Sequence, residues 1–135
     1  MTDTVLKIFS YLPNPRVWKA VIAGRLGGVD VEVVGDKPGE LGKWLWDFEP
    51  RELPDSERND DSPYARTGRR GFSGALYKTD AFLSAHPFGT VPAAFSPDGA
   101  VGVFESNSIL RAVARSASQE SGLYGENGYQ ASRID

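Results

Sequence analysis

Between His86 and Arg115 the chain reads HPFGTVPAAFSPDGAVGVFESNSILRAVAR, and no other stretch limits its fold as much. Ser96-Pro97-Asp98-Gly99 is a strong tight-turn signal. It joins two short apolar runs, Pro92–Phe95 and Val101–Glu105, into an antiparallel hairpin. Proline has no N–H for a ladder, so Pro92 must open its strand or lie on an edge. Ile109, Leu110, Val113 and Ala114 then recur at helical spacing, which predicts a helix capped by Ser106.

The N-terminal part predicts a second unit. Val5–Ser10 is a short β-prone run, expected to be buried on both faces. Asn14-Pro15 supplies a cap and a first-turn proline. Val17, Trp18, Val21, Ile22 and Leu26 continue at helical spacing, and Gly27-Gly28 closes the helix. Val29, Val31 and Val33 alternate with acids as a second strand. The result is a β-α-β unit with a right-handed crossover and parallel strands.

Residues 36–78 differ in kind. Pro38, Pro50, Pro54 and Pro63 punctuate them, and the part from Asp47 to Arg70 is dense in acids and arginines. Such a segment buries too little apolar surface to fold alone, so it reads as a charged, partly mobile surface insertion. Leu41, Trp44, Leu45, Trp46 and Phe48 are its apolar cluster. They are expected to dock on the domain; the other use of such a cluster is a contact surface for a partner. Thr79–Ala85 reads as a short capped helical turn. The order is then β-α-β, a variable segment, and β-β-α. That is the thioredoxin-like α/β plan: a four-stranded mixed sheet with helices on both faces. This domain is expected over residues 1–117. Residues 118–135 read as a linker and the start of an all-helical C-terminal domain.

Composition removes several chemistries. The chain of 135 residues has no cysteine and one histidine. A dithiol redox couple, a mixed disulfide through the protein and a disulfide framework are excluded. A zinc site needs several nitrogen or sulfur ligands, which one histidine cannot supply, so no metal is expected. A serine-histidine triad would have to use His86, which precedes a proline in a loop, and the chain has no G-x-S-x-G motif. The net charge of −3, with arginines offset by carboxylates, gives no footprint for nucleic acid. There is no signal-peptide pattern and no apolar run of about 20 residues, so no membrane association is expected, and the chain reads as cytoplasmic.

Three places carry candidate chemistry. By pattern alone Val91-Pro92 is a trans proline ending a loop. With a cis bond it would instead turn the Val91 amide and carbonyl toward an extended peptide ligand. At Glu105-Ser106, a helix start attracts a carboxylate and Glu105 suits an ammonium, the two charges of an α-amino acid head group. Read plainly, it is a capped helix with a solvated glutamate. At the end of the first strand, a Ser10 or Tyr11 hydroxyl can stabilise a thiolate, while Asn14 reads first as a cap.

In their order and spacing these elements resemble the N-terminal, thioredoxin-like domain of the glutathione transferase superfamily. GTVPAAFSPDGAVGVFESNSILRAVAR is similar to that family's glutathione site. NPRVWKAVIA, HPFGTVPAAF and VFESNSI resemble the transferase-like domain of the gamma subunit of translation elongation factor one. The resemblance covers roughly residues 4–45 and 77–135. It implies that Pro92 is cis, that the Val91 backbone pairs with the cysteinyl part of glutathione, and that Glu105 and Ser106 hold the γ-glutamyl end. Asn14 joins the binding set. Ser10 or Tyr11 becomes the thiol-activating hydroxyl. Lys37, Lys43 or an insertion arginine would meet the glycyl end. The implied activity is conjugation of the glutathione thiolate to an electrophile, with homodimerisation. The gamma-subunit likeness implies instead a non-catalytic scaffold, with Trp44, Trp46 and the insertion as its contact surface.

Overall fold

The computed structural model describes residues 3–67, 74–117 and 119–135. Arg69, Arg70 and Ser118 lie outside the described residues.

β1 (Thr4–Tyr11) runs through the centre of the molecule, and Leu6, Ile8, Phe9 and Ser10 on it are all buried. α1 (Pro15–Gly27) follows, capped by Asn14 and closed by Gly28 in the left-handed conformation at φ 71°. β2 (Asp30–Asp36) pairs parallel with β1. After the inserted segment come α2 (Asp80–Ala85), β7 (Ala93–Phe95), β8 (Gly102–Val103) and α3 (Ser106–Ser116). The main sheet has the order β2-β1-β7-β8, with β1–β7 and β7–β8 antiparallel. This is the expected thioredoxin-like mixed sheet. Gly99, at φ 77°, completes the hairpin turn, its N–H bonded to the Ser96 carbonyl over 2.8 Å.

α1 and α3 cover one face of the sheet. Ile8, Val17, Ala20, Ile109 and Val113 form that core. The helical spacing in α1 marked a wider apolar set than the one that packs: Trp18, Ile22 and Leu26 are exposed, while Ala20, Ala23, Gly24 and Gly27 are buried. The reason is close approach. A Cβ on Gly27 would stand 2.5 Å from the Ala117 Cβ, so small residues face inward and large ones outward.

The inserted segment contains strands that its composition did not suggest. β3 (Trp44–Trp46), β4 (Arg51–Glu52), β5 (Ala65–Thr67) and β6 (Ala75–Lys78) form a second four-stranded sheet in the order β4-β3-β6-β5. It folds by leaning on the main sheet. Leu41, Trp46 and Leu76 join Phe9, Phe82 and Phe95 in a second core on the α2 side. Trp46 is 1% exposed, sits edge-on to Phe9 and Phe82, and donates its indole N–H to the Leu41 carbonyl over 3.1 Å. Trp44 is half-buried and bonded to Asp36. The apolar cluster therefore docks inward, and Trp46 offers no partner surface. Beyond β8 and α3, the last helix is α4 (Gly128–Ile134), capped by Asn127. No helix among the described residues is long and apolar enough to cross a membrane.

Candidate functional site

Three separate elements converge on a cleft of about 470 Å³ beside the Val91–Pro92 peptide bond. The first is the turn after α2. The Gly89 N–H bonds to the His86 carbonyl over 2.8 Å, and Gly89 sits at φ 61°, a conformation open to glycine. This turn carries the chain into Thr90, Val91 and Pro92. The Val91–Pro92 bond is cis, where the local pattern alone favours trans. Neither the N–H nor the carbonyl of Val91 takes a backbone partner among the described residues, because β7 pairs with β1 only from Ala93 onward. Val91 thus presents an unpaired main-chain edge to the cleft.

The second element is the junction of β8 with α3. Glu105, not Ser106, is the cap residue, which corrects the sequence expectation. Glu105 stands at φ 75°, the only described non-glycine residue with positive φ. That backbone folds its carboxylate over the helix start. One oxygen, Oε2, accepts from the amides of Asn107 at 3.0 Å and Ser108 at 3.3 Å. Ser106 becomes the first helical residue, and its N–H and hydroxyl have no partner among the described residues. A cap by glutamate from a left-handed residue has no sequence signature, because serine is the usual cap. Backbone strain of this kind gathers at functional sites.

The third element is the start of α1, which contributes Arg16. Sequence reasoning missed this residue. A cation in the first turn of a helix opposes the helix dipole, and that mismatch is the signal that would have found it. Arg16 is exposed and forms no ion pair with a described residue. Phe88 and Phe104, exposed with ring centroids 5.5 Å apart, form an apolar rim.

Behind this rim lies His86, 2% exposed. Its Nε2–H donates to the Ala94 carbonyl over 2.9 Å, and its ring meets Phe95, Phe82 and Phe104. Nδ1 is buried with no partner among the described residues. Burial lowers its pKa from the usual 6.5, against the carbonyl bond that raises it.

The structure brings together Val91, Pro92, Glu105 and Ser106, but not the other candidates. Ser10 and Asn14 are fully buried and satisfied by each other, Asn14 Nδ2 donating to Ser10 Oγ over 3.1 Å. Asn14 Oδ1 caps α1 through the Arg16 N–H at 3.0 Å. Neither lines the cleft. Tyr11 is half-buried and packs against the core shared with Trp46. Lys43 pairs with Glu40 at 2.8 Å, and Lys37 is exposed; neither lines the cleft. Of the insertion arginines, Arg51, Arg58 and Arg66 pair with Glu57, Asp55 and Asp80. Among the described residues no cluster of three or more histidines, cysteines or acids is placed to hold a metal ion.

No protein-family model matches the chain. It is 27% identical over 127 residues to the glutathione S-transferase-like protein FUS3 of Gibberella moniliformis, a match that spans 94% of the chain and 41% of that relative. Among solved structures it resembles glutathione transferase F2 from Populus trichocarpa, with a TM-score of 0.55 and 19% identity over 96% of the chain and 45% of the other. It also resembles the theta class glutathione S-transferase of Xanthomonas axonopodis pv. citri solved with glutathione bound, with a TM-score of 0.50, 17% identity, and coverage of 96% and 44%. These likenesses establish the fold. The chain spans less than half the length of each of these relatives.

Proposed function

We propose that this chain is the glutathione-binding region of a transferase-type protein. The observation that carries the reading is the cleft itself: an unpaired main-chain edge, a helix start with free donors, a carboxylate and a guanidinium, gathered from three elements. Glutathione is complementary to that set. Its cysteinyl amide and carbonyl match the Val91 edge as an added strand does. Its γ-glutamyl carboxylate matches the Ser106 N–H and hydroxyl, with Arg16 adding positive charge. Its ammonium matches the second oxygen of Glu105, since only Oε2 is engaged by the helix. The similarity to a glutathione S-transferase-like protein, and to a transferase structure that holds glutathione, supports the same ligand.

The chemistry that follows is conjugation. The thiol releases its proton to solvent, the thiolate forms a bond from sulfur to an electrophilic carbon, and any leaving group departs with its electron pair. The protein's part is to orient the thiol and stabilise the thiolate. Ser10 is sealed against Asn14 and Tyr11 packs outside the cleft lining, so neither hydroxyl is assigned to the thiol. The exposed rings of Phe88 and Phe104 suit an apolar electrophile.

Retention on immobilised glutathione, calorimetric titration and a conjugation assay test this reading. Retention with turnover supports a transferase. Folded protein that neither is retained nor binds in solution overturns it, and leaves the gamma-subunit type of non-catalytic scaffold.

A further inference from the structure

The turn that delivers Val91 is held from below by a residue of the inserted sheet. Lys78, the last residue of β6, is only 3% exposed. Its ammonium donates to the Gly89 carbonyl over 2.6 Å and lies 4.8 Å over the ring of Trp46, its register partner across the parallel β3–β6 ladder. A methionine would fill this space without the cost of desolvating a charge. What the ammonium adds is a strong donor aimed at one carbonyl of the 86–89 turn. The Gly89 N–H is already bonded to the His86 carbonyl, so both polar groups of Gly89 are fixed, two residues before the Val91 edge. The fit is tight: a Cβ on Gly89 would stand 2.9 Å from Lys78 Nζ.

We infer that Lys78 is a positioning residue for the Val91 main-chain edge, through which the inserted sheet sets where an extended thiol peptide docks. The identity of that peptide rests on the glutathione reading above; the fixing of the turn does not. Lys78 acts on the cysteinyl edge and not on the glycyl end of the ligand.

The test compares the whole chain with its Lys78→Met and Gly89→Ala variants, using two probes: glutathione and γ-glutamylcysteine, which lacks the glycine. Lys78→Met should weaken both peptides equally, by about tenfold or more, as a displaced docking edge requires. In the ligand-free protein, the backbone amide NMR signals of Gly89, Thr90 and Val91 should shift while those of Asn107 and Ser108 stay in place. Gly89→Ala, which crowds the same ammonium from the turn side, should reproduce both effects if Lys78→Met fails to fold. A loss confined to glutathione overturns the inference, because Lys78 would then meet the glycyl carboxylate. Unmoved amide signals in the 89–91 segment overturn it too. If the unaltered chain binds neither peptide, the ligand reading fails, and the amide shifts still decide whether Lys78 holds the turn.

Discussion

Asn14 and Ser10 close on each other: the Asn14 amide donates to the Ser10 hydroxyl over 3.1 Å, and both side chains are fully buried. The pair ties the end of β1 to the start of α1 and uses up the hydroxyl that sequence made a candidate for thiol chemistry. Asn14→Ala removes a helix cap and strands a buried hydroxyl, so it should cost about 2 kcal/mol in denaturant unfolding. Ser10→Ala should cost about 1 kcal/mol and leave glutathione affinity unchanged. A loss of turnover at wild-type affinity in Ser10→Ala would restore Ser10 as a catalytic candidate.

Glu105 has two tasks that substitutions separate. Glu105→Gln keeps an acceptor for the Asn107 and Ser108 amides but loses the charge. It should stay within about 0.5 kcal/mol of the parent in stability while losing about tenfold or more in glutathione affinity. Glu105→Ala loses both, and should cost about 1 kcal/mol of stability as well. Equal affinity in the glutamine variant would mean that the carboxylate serves the helix alone.

Arg16 faces the cleft from a position where the helix dipole disfavours a cation. Arg16→Gln should leave the melting temperature unchanged or slightly raised. It should weaken glutathione by about fivefold at low salt, and by less at high salt, because exposed charge interactions are screened. A salt-independent loss would contradict an electrostatic role.

His86 is held neutral by burial, with a folded-state pKa below the usual 6.5. Above about pH 6.5 both folded and unfolded states carry the neutral ring, and its contribution is fully present. As pH falls below that value, the unfolded chain takes up a proton that the folded one does not. Stability should then fall, at most by about 1.4 kcal/mol per pH unit, until the lowered folded pKa is reached. His86→Gln should show a shallower loss between pH 6.5 and 5 in urea titrations. Identical slopes would show that carboxylates alone set the acid limit.

Gly35 pairs with Ser10 across the β1–β2 ladder, and a Cβ at Gly35 would fall 1.7 Å from the Ser10 carbonyl oxygen. No rotamer relieves a backbone clash. Gly35→Ala should therefore cost more than about 3 kcal/mol or prevent folding. Gly39→Ala, with open space at its Cβ, is the control expected to be neutral.

The local signals were legible where chemistry is local. Asn14-Pro15 starts α1, Gly28 ends it, and Ser96–Gly99 turns the hairpin, each because one residue's backbone or side chain suffices for the task. The inserted sheet was not legible. Its strands are two to four residues long and too short for periodicity, and they are stable because Leu41, Trp46 and Leu76 reach a core built by distant residues. In α1 apolar spacing marks a helix, but close packing turns the small residues inward and leaves Trp18, Ile22 and Leu26 exposed.

The candidate site divides in the same way. Sequence alone determined that no cysteine chemistry is available and that a proline edge and a helix start stand close along the chain. It also marked Glu105 and Ser106, though not Arg16, as candidates for an amino acid head group. Tertiary structure decided the rest. It sealed Ser10 against Asn14, brought Arg16 from a segment distant in sequence into the cleft, made Glu105 the cap, and set a buried lysine of the inserted sheet against the turn before Val91. The physical reason is range: caps and turns are satisfied within a few residues, whereas burial and the convergence of charges depend on segments that meet only once the whole chain has folded.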